Sequence, residues 1–120
     1  MTLNHIDLPV SDIPGAKLFF ETFFGFHCVF EQPDGLTVLL DEANFALTFS
    51  PVPPRETLRY PTGFHVGFNL RTESELMEYH DKLAAAGIEI VTPLSDLGGA
   101  LMFQWNAPGP LLVELSWRPR

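Results

Sequence analysis

Polar and apolar residues alternate over residues 3–10: Ile6, Leu8 and Val10 fall on one face, His5 and Asp7 on the other. A period of two is the mark of a half-buried strand. Ser11 and Asp12 then offer a helix cap, with Pro14 near the first turn, where its missing N–H costs nothing. The spacing of Ala16, Phe19, Phe20 and Phe23 predicts a helix, stopped by Gly25. Strands are expected over residues 26–30, 36–40 and 45–50, with turns at Pro33-Asp34-Gly35 and at residues 41–44. Residues 51–62 hold four prolines and little periodic pattern, and they read as a linker.

The same order then returns. Over residues 64–71, Phe64, Val66, Phe68 and Leu70 share one face, while His65, Gly67, Asn69 and Arg71 share the other. Thr72 and Glu75 have capping-box spacing. Leu76, Tyr79, His80, Leu83 and Ala84 make a helical stripe that Gly87 ends. Strands are expected over residues 88–91, 101–105 and 111–117, with a loop at 93–99 and a turn at 106–109. His5 and His65 stand 60 positions apart, Gly25 and Gly87 62, and the strands beginning at Phe45 and Leu111 66. An internal repeat of this kind indicates two copies of one supersecondary unit. The expected organisation is module one at 1–50, the linker at 51–62 and module two at 63–120. One helix covers only one face of a four-stranded unit, so the face carrying His5 or His65 must meet a second sheet or enclose a cavity.

Composition narrows the classes. With 46% hydrophobic and 18% charged residues, wholesale disorder is excluded. Seven basic residues against fifteen acidic ones leave a net charge of −8, which repels nucleic acid and anionic membranes. Eleven phenylalanines point to an aromatic-rich core or pocket. A single cysteine, Cys28, rules out a disulfide framework and a cysteine-based zinc site, and it fits a reducing cytosol. No apolar run approaches the ~20 residues of a membrane helix. The opening MTLNHIDLPV has no basic stretch followed by an apolar one, so no secretory signal and a cytoplasmic location are expected.

The chemistry converges on three residues. If Leu112, Glu114 and Ser116 point one way along the last strand, Glu114 lies on the face that is not covered by the helix, as do His5 and His65. A carboxylate between Val113 and Leu115 is expensive to bury unpaired. A divalent metal removes that cost, and two imidazoles with one carboxylate form a facial triad that leaves positions open for water or substrate. Fe, Mn, Ni, Co and Zn all suit such a donor set. Asp7, Thr48, Asn69 and Arg71 share the parity of that face and are candidates to contact a substrate. His27, His80 and Cys28 are expected to be structural, the phenylalanines at 19, 20, 23 and 24 are core, and Gly98-Gly99 is expected to be a flexible loop.

At these residues the chain resembles the vicinal oxygen chelate superfamily, which includes glyoxalase I, extradiol dioxygenases, fosfomycin-resistance transferases and bleomycin-resistance binders. Asn4-His5-Ile6 resembles its opening strand, Phe24-Gly25-Phe26 the Leu-Gly-Phe end of its first helix, and Gly63-Phe64-His65-Val66 the opening of its second module. Val113-Glu114-Leu115 resembles its Glu-Leu strand, although the preceding Asn106-Ala107-Pro108-Gly109 lacks both acids of the usual Asp-Pro-Asp-Gly turn. The resemblance implies an α+β fold of two βαβββ modules curved into a half-open barrel cup, metal ligands at His5, His65 and Glu114, and a small-molecule substrate. It also implies a homodimer. The site then either lies within one chain or joins His5 of one protomer to His65 and Glu114 of its partner.

Departures from the family narrow the activity. The repeat sets Thr48 against Glu114, where glyoxalase I carries a second carboxylate as ligand and base. A hydroxyl does not abstract a carbon-bound proton at neutral pH, so an ordinary glyoxalase I reaction is not expected. Extradiol dioxygenases carry a tyrosine about ten residues before the glutamate, and here Gln104 occupies that place. Phosphonate-binding transferases need a Lys and Arg cluster, whereas only Arg118 and Arg120 follow Lys82. The expectation is a metal-dependent enzyme of the glyoxalase/dioxygenase type. The alternatives are a metal-free binder of the bleomycin-resistance type and a small regulatory or structural dimer.

Overall fold

The computed structural model describes residues 1–33 and 35–120. Asp34, part of the turn expected with Pro33 and Gly35, lies outside the described residues. The chain forms two units, one of residues 1–60 with 108–110, the other of residues 61–107 with 111–120.

In the first unit the order is β1 (His5–Val10), α1 (Ile13–Phe24), β2 (His27–Glu31), β3 (Thr37–Leu40) and β4 (Ala46–Pro51). The sheet order is β1-β4-β3-β2, with β1 parallel to β4 and the other pairs antiparallel. The Asp12 carboxylate caps α1 by accepting from the Gly15 N–H at 3.0 Å, and Gly25 ends the helix at a φ of 67°. That left-handed conformation is cheap only for glycine. α1 packs against β2, β3 and β4, burying Phe19 and Phe20. Phe20 meets Phe26 and Phe49 with ring centroids 5.7 Å away. Pro9 sits in β1 without harm because an edge strand need not donate every N–H.

The second unit repeats the order with β5 (His65–Asn69), α2 (Glu73–Ala85), β6 (Ile90–Leu97), β7 (Ala100–Ala107) and β8 (Leu111–Trp117), arranged β5-β8-β7-β6. The capping box forms: Thr72 Oγ1 accepts from the Glu75 N–H, and the Glu75 carboxylate accepts from the Thr72 N–H. Leu76 and Leu83 are buried, and α2 packs against β7 and β8 over Phe103, Trp105, Val113 and Leu115. His80 stands edge-on to Phe103 at 5.0 Å. Each unit is thus a βαβββ module, and the fold class is α+β.

Three local expectations are corrected. Residues 93–97 are not loop but the second half of β6, which carries Pro93 because it is an edge strand with register shifts around that residue. Gly98 and Gly99 form a two-residue turn rather than part of a longer loop: Leu97 pairs with Ala100, and the two glycines take φ of 61° and 85°, the positive values a type I′ hairpin turn requires. Ala84 is exposed rather than part of the buried stripe of α2.

Candidate metal centre

The two parallel ladders have the same register. His5 pairs with Ala46 and Asp7 with Thr48 in the first unit; His65 pairs with Leu112 and Gly67 with Glu114 in the second. Strand alternation therefore sets His65, Gly67 and Asn69 on the side of β5 opposite to Val66 and Phe68. Glu114 is half-buried between Val113 and Leu115, both fully buried on the helix side.

His65 and Glu114 meet. Nε2 of His65 lies 3.8 Å from Oε2 of Glu114, too long for a hydrogen bond but short enough for one ion with bonds of ~2.0–2.2 Å to both. Nδ1 of His65 donates to the Gly63 carbonyl at 2.8 Å. In the neutral ring that bond leaves the Nε2 lone pair facing a carboxylate oxygen. Two electron-rich atoms so placed could share one cation. A histidine with its second nitrogen tied to a carbonyl is the usual arrangement of a metal-ligating imidazole.

His5 carries the same device in the first unit, its Nδ1 bonded to Asn4 Oδ1 at 2.7 Å. Asp7 accepts from Ser50 Oγ at 2.7 Å, so its carboxylate is engaged within its own sheet. Thr48 stands directly across from Asp7. Asn69 closes β5, and Arg71 lies beyond it. The strand ends two residues earlier, and Arg71 lies in the bend before α2, its N–H donating to Glu75. Among the described residues, no three His, Cys, Asp or Glu groups gather so as to hold an ion.

Sequence reading missed two participants. Nε2 of Gln104 donates to Oε1 of Glu114 at 3.1 Å, and Oε1 of Gln104 accepts from the Thr92 hydroxyl at 2.8 Å. Thr92, Gln104, Glu114 and Gly67 are successive cross-strand neighbours on β6, β7, β8 and β5. The signal was present in the ten-residue separation of Gln104 and Glu114, which a hairpin brings together once its register is known.

Comparison with known proteins fixes the lineage. A sequence profile of the Glyoxalase/Bleomycin resistance protein/Dioxygenase superfamily matches residues 2–114. The chain belongs to that superfamily. A possible glyoxalase from Bacillus cereus is 29% identical with a TM-score of 0.85, the match covering 96% of this chain and 97% of that one. A single-substitution mutant of the fosfomycin-resistance protein FosX from Listeria monocytogenes, solved with Mn(II) and 1S,2S-dihydroxypropylphosphonic acid, has a TM-score of 0.81 at 20% identity, over 98% of this chain and 92% of its own. Lactoylglutathione lyase from Agrobacterium tumefaciens has a TM-score of 0.76 at 16% identity, over 97% and 92%. No curated protein matches the sequence significantly. The glyoxalase-superfamily fold thus accounts for both βαβββ units. No helix in the described residues is long and apolar enough to cross a membrane.

Proposed function

We propose that the chain is a metal-dependent enzyme of the glyoxalase/dioxygenase type. In this reading it holds one divalent ion on His65 and Glu114, with His5 as the third ligand from the same chain or from a second copy in a homodimer. The observation that carries the proposal is the 3.8 Å approach of His65 Nε2 to Glu114 Oε2 while Nδ1 is committed to a carbonyl. Superfamily membership supports it, as does the same Nδ1-to-carbonyl device at His5. The metal, when bound, supplies Lewis-acid stabilisation of a developing oxyanion on an oxygen-chelating small molecule.

The chain's own groups define the rest. Gly67 lies beside Glu114, where a Cβ would make ordinary van der Waals contact with Oε2 at 3.7 Å. Thr48 replaces the carboxylate that would serve as a carbon-acid base, so the reaction draws its proton acceptor from elsewhere or needs none, unlike an ordinary glyoxalase I. Asn69 and Thr48 carry uncharged polar groups suited to orienting a substrate, and Asp7 accepts from Ser50 through one of its two oxygens.

Elemental analysis of untagged protein, followed by titration with Mn(II), Fe(II), Co(II), Ni(II) and Zn(II), tests the proposal. About one ion per chain is expected. Glu114→Ala and His65→Ala should abolish binding with the fold retained. Wild-type protein that takes up none of the five ions would overturn the proposal in favour of a metal-free binder.

A further inference from the structure

Glu114 has two carboxylate oxygens and two different neighbours. Oε2 faces His65, while Oε1 accepts from Gln104. An ionised carboxylate only accepts, so the Gln104 amide must present its NH2 to Glu114 and its carbonyl the other way. The group on that other side is Thr92, whose hydroxyl rotates to donate. With Glu114 accepting on one side and Thr92 donating on the other, the amide has one satisfactory orientation.

The backbone enforces the same arrangement. Gln104 is the direct cross-strand partner of both Glu114 and Thr92. The β6–β7 ladder slips between Ile90 and Thr92 and again between Thr92 and Ser95, yet Thr92 itself stays in register with Gln104. Bulges of this kind re-aim a side chain. Here they flank the one residue of β6 whose hydroxyl meets the amide.

We infer that Gln104 is a positioning residue: oriented by Thr92, its amide holds Oε1 of Glu114 and leaves Oε2 alone to bind a divalent ion beside His65. The inference rests on the metal-site reading of His65 and Glu114 for its consequence, but the Thr92–Gln104–Glu114 bonds themselves do not require the metal. Glu114 then ligates through one oxygen, which leaves an additional position for substrate.

The experiment compares wild type with Thr92→Val, Thr92→Ser and Gln104→Leu. Mn(II) affinity is read from loss of the free-ion electron paramagnetic resonance signal, and the apo-protein Gln104 side-chain amide is followed by ¹⁵N–¹H NMR. Removing a group that orients a ligand typically weakens metal binding ~10–100-fold. Gln104→Leu should fall in that range and Thr92→Val should weaken binding several-fold. Thr92→Ser, which keeps the hydroxyl, should restore wild-type affinity. In the apo protein the Gln104 amide should be rigid in wild type and Thr92→Ser, and mobile in Thr92→Val. Near-isosteric Thr92→Val covers the case in which Gln104→Leu fails to fold. Wild-type Mn(II) affinity in Thr92→Val, or an amide equally ordered with and without the Thr92 hydroxyl, would overturn the inference. If wild type takes up none of the five ions while the amide still responds to Thr92, the metal-dependent function falls and Gln104 is left positioning the Glu114 carboxylate alone.

Discussion

Thr48 and Glu114 occupy the same place in two copies of one sheet. Thr48 pairs with Asp7 on β1 and with Val38 on β3; Glu114 pairs with Gly67 on β5 and with Gln104 on β7. The duplicated scaffold therefore carries its acid on the edge strand in one copy and on the adjacent inner strand in the other. The second acid faces an imidazole, that of His65.

Thr48→Glu tests that asymmetry. The new carboxylate would stand directly across from Asp7, and like charges so placed destabilise by up to ~1 kcal/mol. Denaturant unfolding should show the variant less stable than wild type at pH 7. The difference should shrink as pH falls and the carboxylates are protonated.

Gly67 tests the space in front of the carboxylate. A methyl there would meet the Glu114 carbonyl oxygen and Oε2 at 3.7 Å, ordinary contact distances. Gly67→Ala should fold normally and gain ~0.5–1 kcal/mol, because glycine in a strand loses more chain entropy on folding. Gly67→Val should fill the space. Mn(II) titration should find weaker binding in the first variant and none in the second, with neither melting below wild type.

The α2 cap should matter for stability alone. Thr72 and Glu75 satisfy each other's backbone N–H groups. Thr72→Ala should cost ~1 kcal/mol in urea unfolding. Mn(II) affinity should stay unchanged, because the cap touches neither His65 nor Glu114.

Tyr60 links the end of the first unit to β1, its hydroxyl donating to the Pro9 carbonyl. Tyr60→Phe should cost ~1 kcal/mol at neutral pH. Burial raises the Tyr60 phenol above its ordinary range near 10. Because the folded state favours the neutral phenol, its stabilisation is complete below the ordinary tyrosine range and is lost as pH rises through the raised value. The stability gap between wild type and Tyr60→Phe, followed by unfolding at increasing alkaline pH, should therefore close.

Both helices, seven of the eight strands in outline and the register of the repeat were legible in the sequence, because each rests on local rules. Alternation assigns a strand residue to a face. A 3.6-residue stripe assigns a helix its buried side, and caps such as Thr72 and Gly25 mark its ends. Those rules alone put His5, His65 and Glu114 on faces turned away from the helices.

What local rules do not carry is which strands lie side by side and where a ladder slips. Pro93 argued against a strand until β6 proved to be an edge. Arg71 shared the right parity but fell beyond the end of β5. Gln104 read only as a missing tyrosine until the β7–β8 pairing brought it against Glu114. Periodicity is a property of consecutive residues and is written in the chain. Cross-strand contact depends on turn geometry and bulges many residues away, so only the folded sheet decided that Thr92, Gln104, Glu114 and His65 stand side by side.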